Sequence, residues 1–217
     1  MPSLLLGSIS TIADTSELQR SAFNQAFGEH GLDWHWDQAS YRDLLTGNGG
    51  KQRISQYADD HGDSVDAGGV HATKSSLFQD ALADGVTARA GVADTVRAAQ
   101  AAGWRVGLVT TTARANLDAL FAGLGGELSA DDFDVIVDSE SVDDAKPDPT
   151  AYRYALEQLG EDAASAVAVE DNVGGVASAQ AAGVTVIAFP NENTAEHDFG
   201  DVQTVDRLDA TTVGLTR

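Results

Sequence analysis

The sequence contains no cysteine and very little lysine, and each shortage excludes a class of chemistry. Without Cys in its 217 residues, the chain can form neither a disulfide bond nor a thiolate metal site. Lys51, Lys74 and Lys146 are its only lysines, and 13 basic residues stand against 34 acidic ones. Because no basic stripe is available to neutralise a phosphate backbone, we expect no nucleic-acid partner.

Long apolar runs are also missing. No stretch reaches the length of a transmembrane helix, and the N-terminus has no basic region followed by an apolar segment, so we expect no membrane partner and a cytoplasmic location. The formal net charge of -21 implies a self-repelling surface that salt would screen. We interpret this charge as adaptation to a high-salt cytoplasm such as that of a halophile; an ordinary acidic protein is the alternative.

What is present is an alternation of short apolar strands and helices, which predicts an α/β fold with a parallel sheet and right-handed crossovers. Strands are predicted at Leu4–Leu6, 104–109, 135–137, 166–169 and 184–189. Asp148 followed by Pro149 predicts a helix start, and Gly160 its end. A polar, helical segment separates the first strand from the rest. We therefore predict a Rossmann-like core of residues 1–15 and 88–217, with a helical cap of residues 16–87.

Polar residues follow three of the predicted strands, where ligands bind in open α/β sheets. Thr110 and Thr111 could donate hydroxyl hydrogen bonds to a phosphoryl oxygen, and the Lys146 ammonium could neutralise phosphate charge. Glu170 and Asp171 are carboxylates of the kind that hold Mg²⁺. Each residue alone is more often a strand-end cap or a surface residue, but the combination favours a phosphate site with a cation.

Three motifs resemble those of the haloacid dehalogenase superfamily: "VGLVTTT", "AKPDP" and "VAVEDNVGGVASAQAAGV". The stretches "LDWHWDQASYRDLLTGNGGKQRI" and "HATKSSLFQDAL" are similar to the cap of its CbbY-like and β-phosphoglucomutase-like branch, and "NTAEHDFGDV" is similar to the tail. The resemblance covers nearly the whole chain. It implies a core with an inserted helical cap of the C1 type, a sugar-phosphate ligand, Mg²⁺ as cofactor and a monomeric state.

The resemblance also implies what the first motif should contain. In active relatives it reads Asp-x-Asp-x-Thr with a further acid three residues on, and Thr11 and Asp14 set that register here, with Thr11 as a further candidate phosphate-binding residue. The nucleophile position then falls on Gly7 and the acid/base position on Ile9, so both carboxylates are missing. A spacing of two puts both positions on one side of a strand, and Ser8 between them should point to the other side. We expect Mg²⁺ binding to be weakened as well.

The cap carries the remaining lysines. Lys51 and Arg53 follow a Gly-rich turn, and His71 and Lys74 lie three residues apart on one predicted helix face. In so acidic a chain, lysines at these positions indicate an anion-binding pocket, with a solvated cap surface as the alternative.

Three functional hypotheses follow. In the first, the chain is a pseudo-phosphatase that binds a phosphorylated or anionic small molecule, because covalent catalysis and general acid help are lost with the two carboxylates. In the second, it is an active Mg²⁺-dependent phosphomonoester hydrolase that uses another carboxylate, namely Asp14, Glu170 or Asp171. In the third, it is a structural or interaction protein with a vestigial pocket.

Overall fold

Five parallel strands form the centre of the molecule, in the order β3-β2-β1-β4-β5. The computed structural model describes residues 1–46 and 49–215. The strands are β1 (Ser3–Leu6), β2 (Arg105–Val109), β3 (Val135–Val137), β4 (Ala166–Glu170) and β5 (Thr185–Ala188). Helices cover both faces of a sheet of this kind, which explains why its strands are continuous apolar runs such as "LLL" and "VAV". The predicted parallel α/β fold is confirmed.

The α-helices lie between the strands along the chain. Between β1 and β2 lie α1 (Ile9–Ile12), α2 (Ser16–Glu29), α3 (Gln38–Leu44), α4 (Gly50–His61), α5 (Ala67–Ala83) and α6 (Val92–Ala101). After β2 come α7 (Arg114–Gly123), α8 (Thr150–Leu159) and α9 (Val173–Ala181). In the described part of the chain, none of these helices is long and apolar enough to cross a membrane.

The predicted cap has a hydrophobic core of its own, in which Phe23, Phe27, Trp36, Tyr41 and Ile54 are fully buried. The two faces of the sheet are covered by separate apolar clusters. Phe78 and Leu82 at the end of α5 belong to the cluster on one face of the sheet, so this helix connects the cap to the core. The residue boundaries between cap and core stay a prediction.

The start of α8 differs from the prediction by one residue. Pro149 takes the N-cap position and Thr150 begins the helix, because the Asp148 carboxylate accepts a hydrogen bond from the Thr150 backbone N–H (2.9 Å) and forms a local turn. Gly160 ends the helix in the left-handed conformation, as predicted. Of the Gly-rich turn in the cap, Gly47 and Asn48 lie outside the described residues.

Candidate active site

A cavity of about 720 Å³ lies between the cap and the carboxyl ends of the strands. Its core side is lined by small polar side chains that follow β1, β2, β4 and β5, namely Ser8, Ser10, Thr110, Thr111, Thr112, Asp171, Asn172, Asn191 and Thr194. Its cap side carries Gln19, Lys51, Arg53, His71 and Lys74 beside the aromatic rings of Phe23 and Tyr41. Hydroxyl and amide groups therefore face a set of cationic side chains across this space.

The tip of β1 presents a serine to the cavity. Ser8 is the N-cap of α1: its Oγ accepts a hydrogen bond from the Thr11 backbone N–H (3.0 Å) and donates one to Asp171 Oδ1 (2.6 Å). The expectation that Ser8 points away from the site is therefore wrong. The strand ends at Leu6, so the alternation of side chains along a strand no longer applies at Ser8.

Ile9 has a different environment from Ser8. It borders the cavity, but its side chain is buried in the apolar cluster that covers one face of the sheet. Thr11 is fully buried in the same short helix, and its hydroxyl lies 3.2 Å from Ser8 Oγ. Residue 9 is thus part of the hydrophobic core in this chain and offers no group that could transfer a proton.

The space beside Gly7 is filled by a carboxyl group from the neighbouring strand. A Cβ atom built on Gly7 would overlap the Glu170 carboxyl, which is fully buried. Glu170 Oε1 accepts hydrogen bonds from Lys146 Nζ (2.6 Å) and from the Tyr152 hydroxyl (2.7 Å). Lys146 Nζ also donates to the carbonyl oxygens of Gly7 (2.5 Å) and Val109 (2.6 Å). The Lys146 ammonium is therefore paired with the Glu170 carboxyl inside the protein.

The first turn of α9 also leaves room for Glu170. A Cβ atom on Gly175 would overlap the same carboxyl group, so Glu170 lies between two glycines. Burial raises the pKa of Glu170, and the Lys146 ammonium opposes that rise. Glu170 Oε2 has no hydrogen-bond partner among the described residues. Gly7, Lys146 and Glu170 are not among the residues that line the cavity, and the side chains of Lys146 and Glu170 are buried.

Asp171 is the carboxylate that faces the cavity from the core. In addition to the Ser8 hydroxyl, its Oδ1 accepts a hydrogen bond from Asn172 Nδ2 (3.0 Å), and its Oδ2 accepts one from Asn191 Nδ2 (2.7 Å). Asn191 lies in the polar segment after β5, two residues before the tail "NTAEHDFGDV", and was not among the predicted site residues. The polar run "NENT" directly after β5 is the sequence signal for Asn191, since it follows a parallel strand and so lies at the same edge of the sheet as Thr110 and Asp171.

Lys74 lies at the inner end of the cap side. It is 4% exposed, its Nζ donates to Gln19 Oε1 (3.1 Å), and it lies 4.8 Å and 4.7 Å from the ring centroids of Phe23 and Phe78. Burial, together with the nearby Arg53 guanidinium, lowers the pKa of Lys74 to about 7. A bound anion would offset both effects, since it would stabilise the ammonium form.

Two further basic side chains of the cap, those of Arg53 and His71, line the same cavity. Arg53 donates from Nε to the Leu44 carbonyl (2.9 Å), and its guanidinium lies within 5.9 Å of the Phe23 ring centroid. Burial, together with the nearby Lys74, lowers the pKa of His71 to about 4, so this imidazole is neutral at physiological pH. The structure thus brings Lys51, Arg53 and Lys74 to one cavity with Thr110, Thr111 and Asp171.

Comparison with known proteins gives consistent findings. Residues 9–183 match the haloacid dehalogenase-like hydrolase family. The chain is 39% identical over 193 residues to the protein CbbY of Rhodobacter capsulatus, covering 87% of this chain and 85% of that protein. It is similar to crystal structures of CbbY from Rhodobacter sphaeroides, one of a mutant in complex with xylulose-(1,5)bisphosphate (34% identity) and one in complex with phosphate (35% identity). Each has a TM-score of 0.87 and covers 95% of both chains.

Proposed function

The chain belongs to the haloacid dehalogenase-like hydrolases, and we propose that it binds a phosphorylated small molecule in its cavity without forming the aspartyl-phosphate that the family resemblance implies. Its scaffold is that of the CbbY-like phosphatases, to which it is similar over most of its length. The cavity thus has the groups that ligand binding needs, whereas the first motif lacks the carboxylates that covalent catalysis needs.

The observation that carries this proposal is that residue 7 has no side chain and that the buried Glu170 carboxyl occupies the space beside it. Gly7 offers no nucleophile, and Glu170 fills the vacated space while it is paired with Lys146 and Tyr152. Glu170 cannot act as the nucleophile instead, because it is fully buried and is not part of the cavity lining, so a ligand in the cavity does not reach its carboxyl group. Ile9 supplies no proton to a leaving group.

The lining of the cavity supports a phosphorylated ligand. Lys51, Arg53 and Lys74 are three of only 13 basic residues in a chain of net charge -21, and all three line one cavity. Charged donors are the side chains that bind phosphate oxygens most strongly, and threonine hydroxyls provide further donors on the opposite side. Since a CbbY structure similar to this one contains xylulose-(1,5)bisphosphate, we propose a sugar phosphate or sugar bisphosphate as the ligand.

The test combines binding with turnover. We expect xylulose 1,5-bisphosphate to raise the melting temperature of the natural protein with ligand concentration, while no phosphate is released in the presence of Mg²⁺. The matched variants are Gly7→Asp/Ile9→Asp and Gly7→Asn/Ile9→Asn, each also made with Glu170→Ala to vacate the space beside residue 7. Phosphate release by the natural protein at the rate of the Asp variant would contradict the proposal, and the Asn variant controls for shape.

A second candidate function is hydrolysis through another carboxylate, and the structure favours one residue for it. Asp14 accepts hydrogen bonds from Ser16 Oγ (2.7 Å) and from the Glu192 backbone N–H (3.1 Å), and it does not line the cavity. Glu170 is fully buried and does not line the cavity either. Asp171 is the one of the three that borders the cavity. If the natural protein releases phosphate, Asp171→Asn should abolish that release and Asp14→Asn should not.

A further inference from the structure

The donors around Asp171 are held in place by the backbone. Ser8 Oγ accepts from the Thr11 N–H (3.0 Å), so its own hydrogen is directed at Asp171 Oδ1. Asn172 Oδ1 accepts from the Gly175 N–H (2.8 Å), which leaves the Nδ2 group of the same amide facing Asp171. The acceptor side of each residue is thus already used, and its donor side is turned to the carboxylate.

Asn191 repeats this arrangement from the other side. Its Oδ1 accepts from the Asn193 N–H (2.9 Å), and its own backbone N–H donates to Thr194 Oγ1 (2.9 Å). The amide orientation is therefore set by the segment after β5, and Nδ2 donates to Asp171 Oδ2. Asp171 receives three side-chain donors, and both of its oxygens have a partner.

A divalent cation does not fit this environment. Mg²⁺ requires oxygen ligands in octahedral geometry and is normally bound through one or two carboxylates. A Mg²⁺ ion bound at Asp171 would have to displace the three donors, Ser8, Asn172 and Asn191, whose hydrogens point at the carboxylate. Neither Gly7 nor Ile9 supplies a second carboxylate. Within residues 1–46 and 49–215, no three acidic or histidine side chains form a group that could hold a metal ion. Mg²⁺, which the family typically uses, is therefore not accommodated by these residues.

We propose that this cavity binds the phosphate group of its ligand without a divalent cation, and that Lys51, Arg53 and Lys74 supply the positive charge. This inference rests on the proposed function, because it concerns how the same ligand is held. Asp171 then serves to position Ser8 and Asn191 at the cavity wall, rather than to bind a metal. The ligand class is a phosphomonoester dianion or inorganic phosphate, bound by ammonium, guanidinium, hydroxyl and amide groups.

The first experiment measures metal binding by itself. Mn²⁺ is titrated into the full chain and followed by electron paramagnetic resonance, with Asp171→Asn as the matched variant. We expect the natural protein and the variant to bind Mn²⁺ equally weakly, through the acidic surface alone. A site that is present in the natural protein and lost in Asp171→Asn would overturn the proposal.

The second experiment measures phosphate binding by calorimetry, in excess EDTA and in excess MgCl₂. We expect dissociation constants that agree within about twofold, whereas binding that is about tenfold tighter with Mg²⁺ would overturn the inference. Absence of phosphate and sugar bisphosphate binding under both conditions would refute the proposed function. The Mn²⁺ titration would still decide whether Asp171 holds a cation, so the two failures are distinguishable.

Discussion

Lys74 combines deep burial with a position at the cavity, and this combination predicts a pH dependence of anion binding. Its pKa of about 7 means that the side chain is largely protonated in mildly acidic solution and largely neutral in alkaline solution. Sulfate stays a dianion across this range, so its affinity should fall as the pH rises from about 6 to about 9. Calorimetric titration with sulfate at constant salt measures this effect.

Two variants serve as controls for the Lys74 prediction. Lys74→Arg keeps a permanent charge and should flatten the pH dependence, since His71, with a pKa of about 4, is neutral throughout this range. Lys74→Met should weaken sulfate binding at the acidic end. It should also stabilise the protein by roughly 1 to 3 kcal/mol; this gain begins as the pH falls below the ordinary lysine pKa of about 10.4 and is complete below about pH 7, because a lowered lysine pKa makes the folded state less stable wherever the unfolded chain carries the ammonium charge. A pH dependence that survives in Lys74→Met would contradict the assignment.

At the scale of secondary structure elements, the start of α9 is shaped by the side chain that precedes it. Glu170 at the end of β4 folds back over Gly175, where a Cβ atom would overlap the carboxyl group. We expect Gly175→Ala to destabilise the protein by roughly 1 to 3 kcal/mol, since a buried ion-paired carboxyl cannot move without cost. Urea unfolding measures the change in the free energy of unfolding.

The matched control for this prediction is Gly28→Ala in α2. No atom lies within 4 Å of a Cβ atom built at Gly28, outside the helix's own backbone, so alanine should stabilise the helix by about 0.5 to 1 kcal/mol. In the variant Gly175→Ala/Glu170→Ala the overlap is removed, but Lys146 loses its partner. A cost for Gly175→Ala that is the same with and without Glu170 would mean that the carboxyl is not what excludes the side chain.

The elements themselves could be predicted from the sequence because apolar runs and helix-ending glycines are local signals. β3 at residues 135–137 and the end of α8 at Gly160 follow directly from such signals. The direction of the Ser8 side chain could not be predicted, because it depends on where β1 stops. The position of the Glu170 side chain could not be predicted from local signals either, because it depends on the space at Gly7 and Gly175 and on Lys146 and Tyr152, which come from three separate parts of the chain.

For the whole molecule, the distribution of charge matters more than its sum. The net charge is -21, yet Lys51, Arg53 and Lys74 line one cavity. Surface carboxylates repel one another through solvent, where salt screens them, whereas buried or partly buried charges such as Lys74 and Arg53 are screened much less. Salt should therefore change the stability of the fold far more than it changes the electrostatics of the cavity.

The last prediction concerns this dependence of stability on salt. The screening length falls from about 30 Å at 0.01 M salt to about 3 Å at 1 M, so repulsion among 34 acidic residues should weaken strongly over that range. We expect the free energy of unfolding in urea to increase by at least about 1 kcal/mol, with a matching shift of the unfolding midpoint to higher urea concentration. KCl and NaCl should act alike if screening is the cause, and sucrose at equal osmolality should have a smaller effect. An equal gain in sucrose would instead assign the stabilisation to exclusion of solute from the surface, and an unchanged stability would show that the acidic surface does not limit the fold.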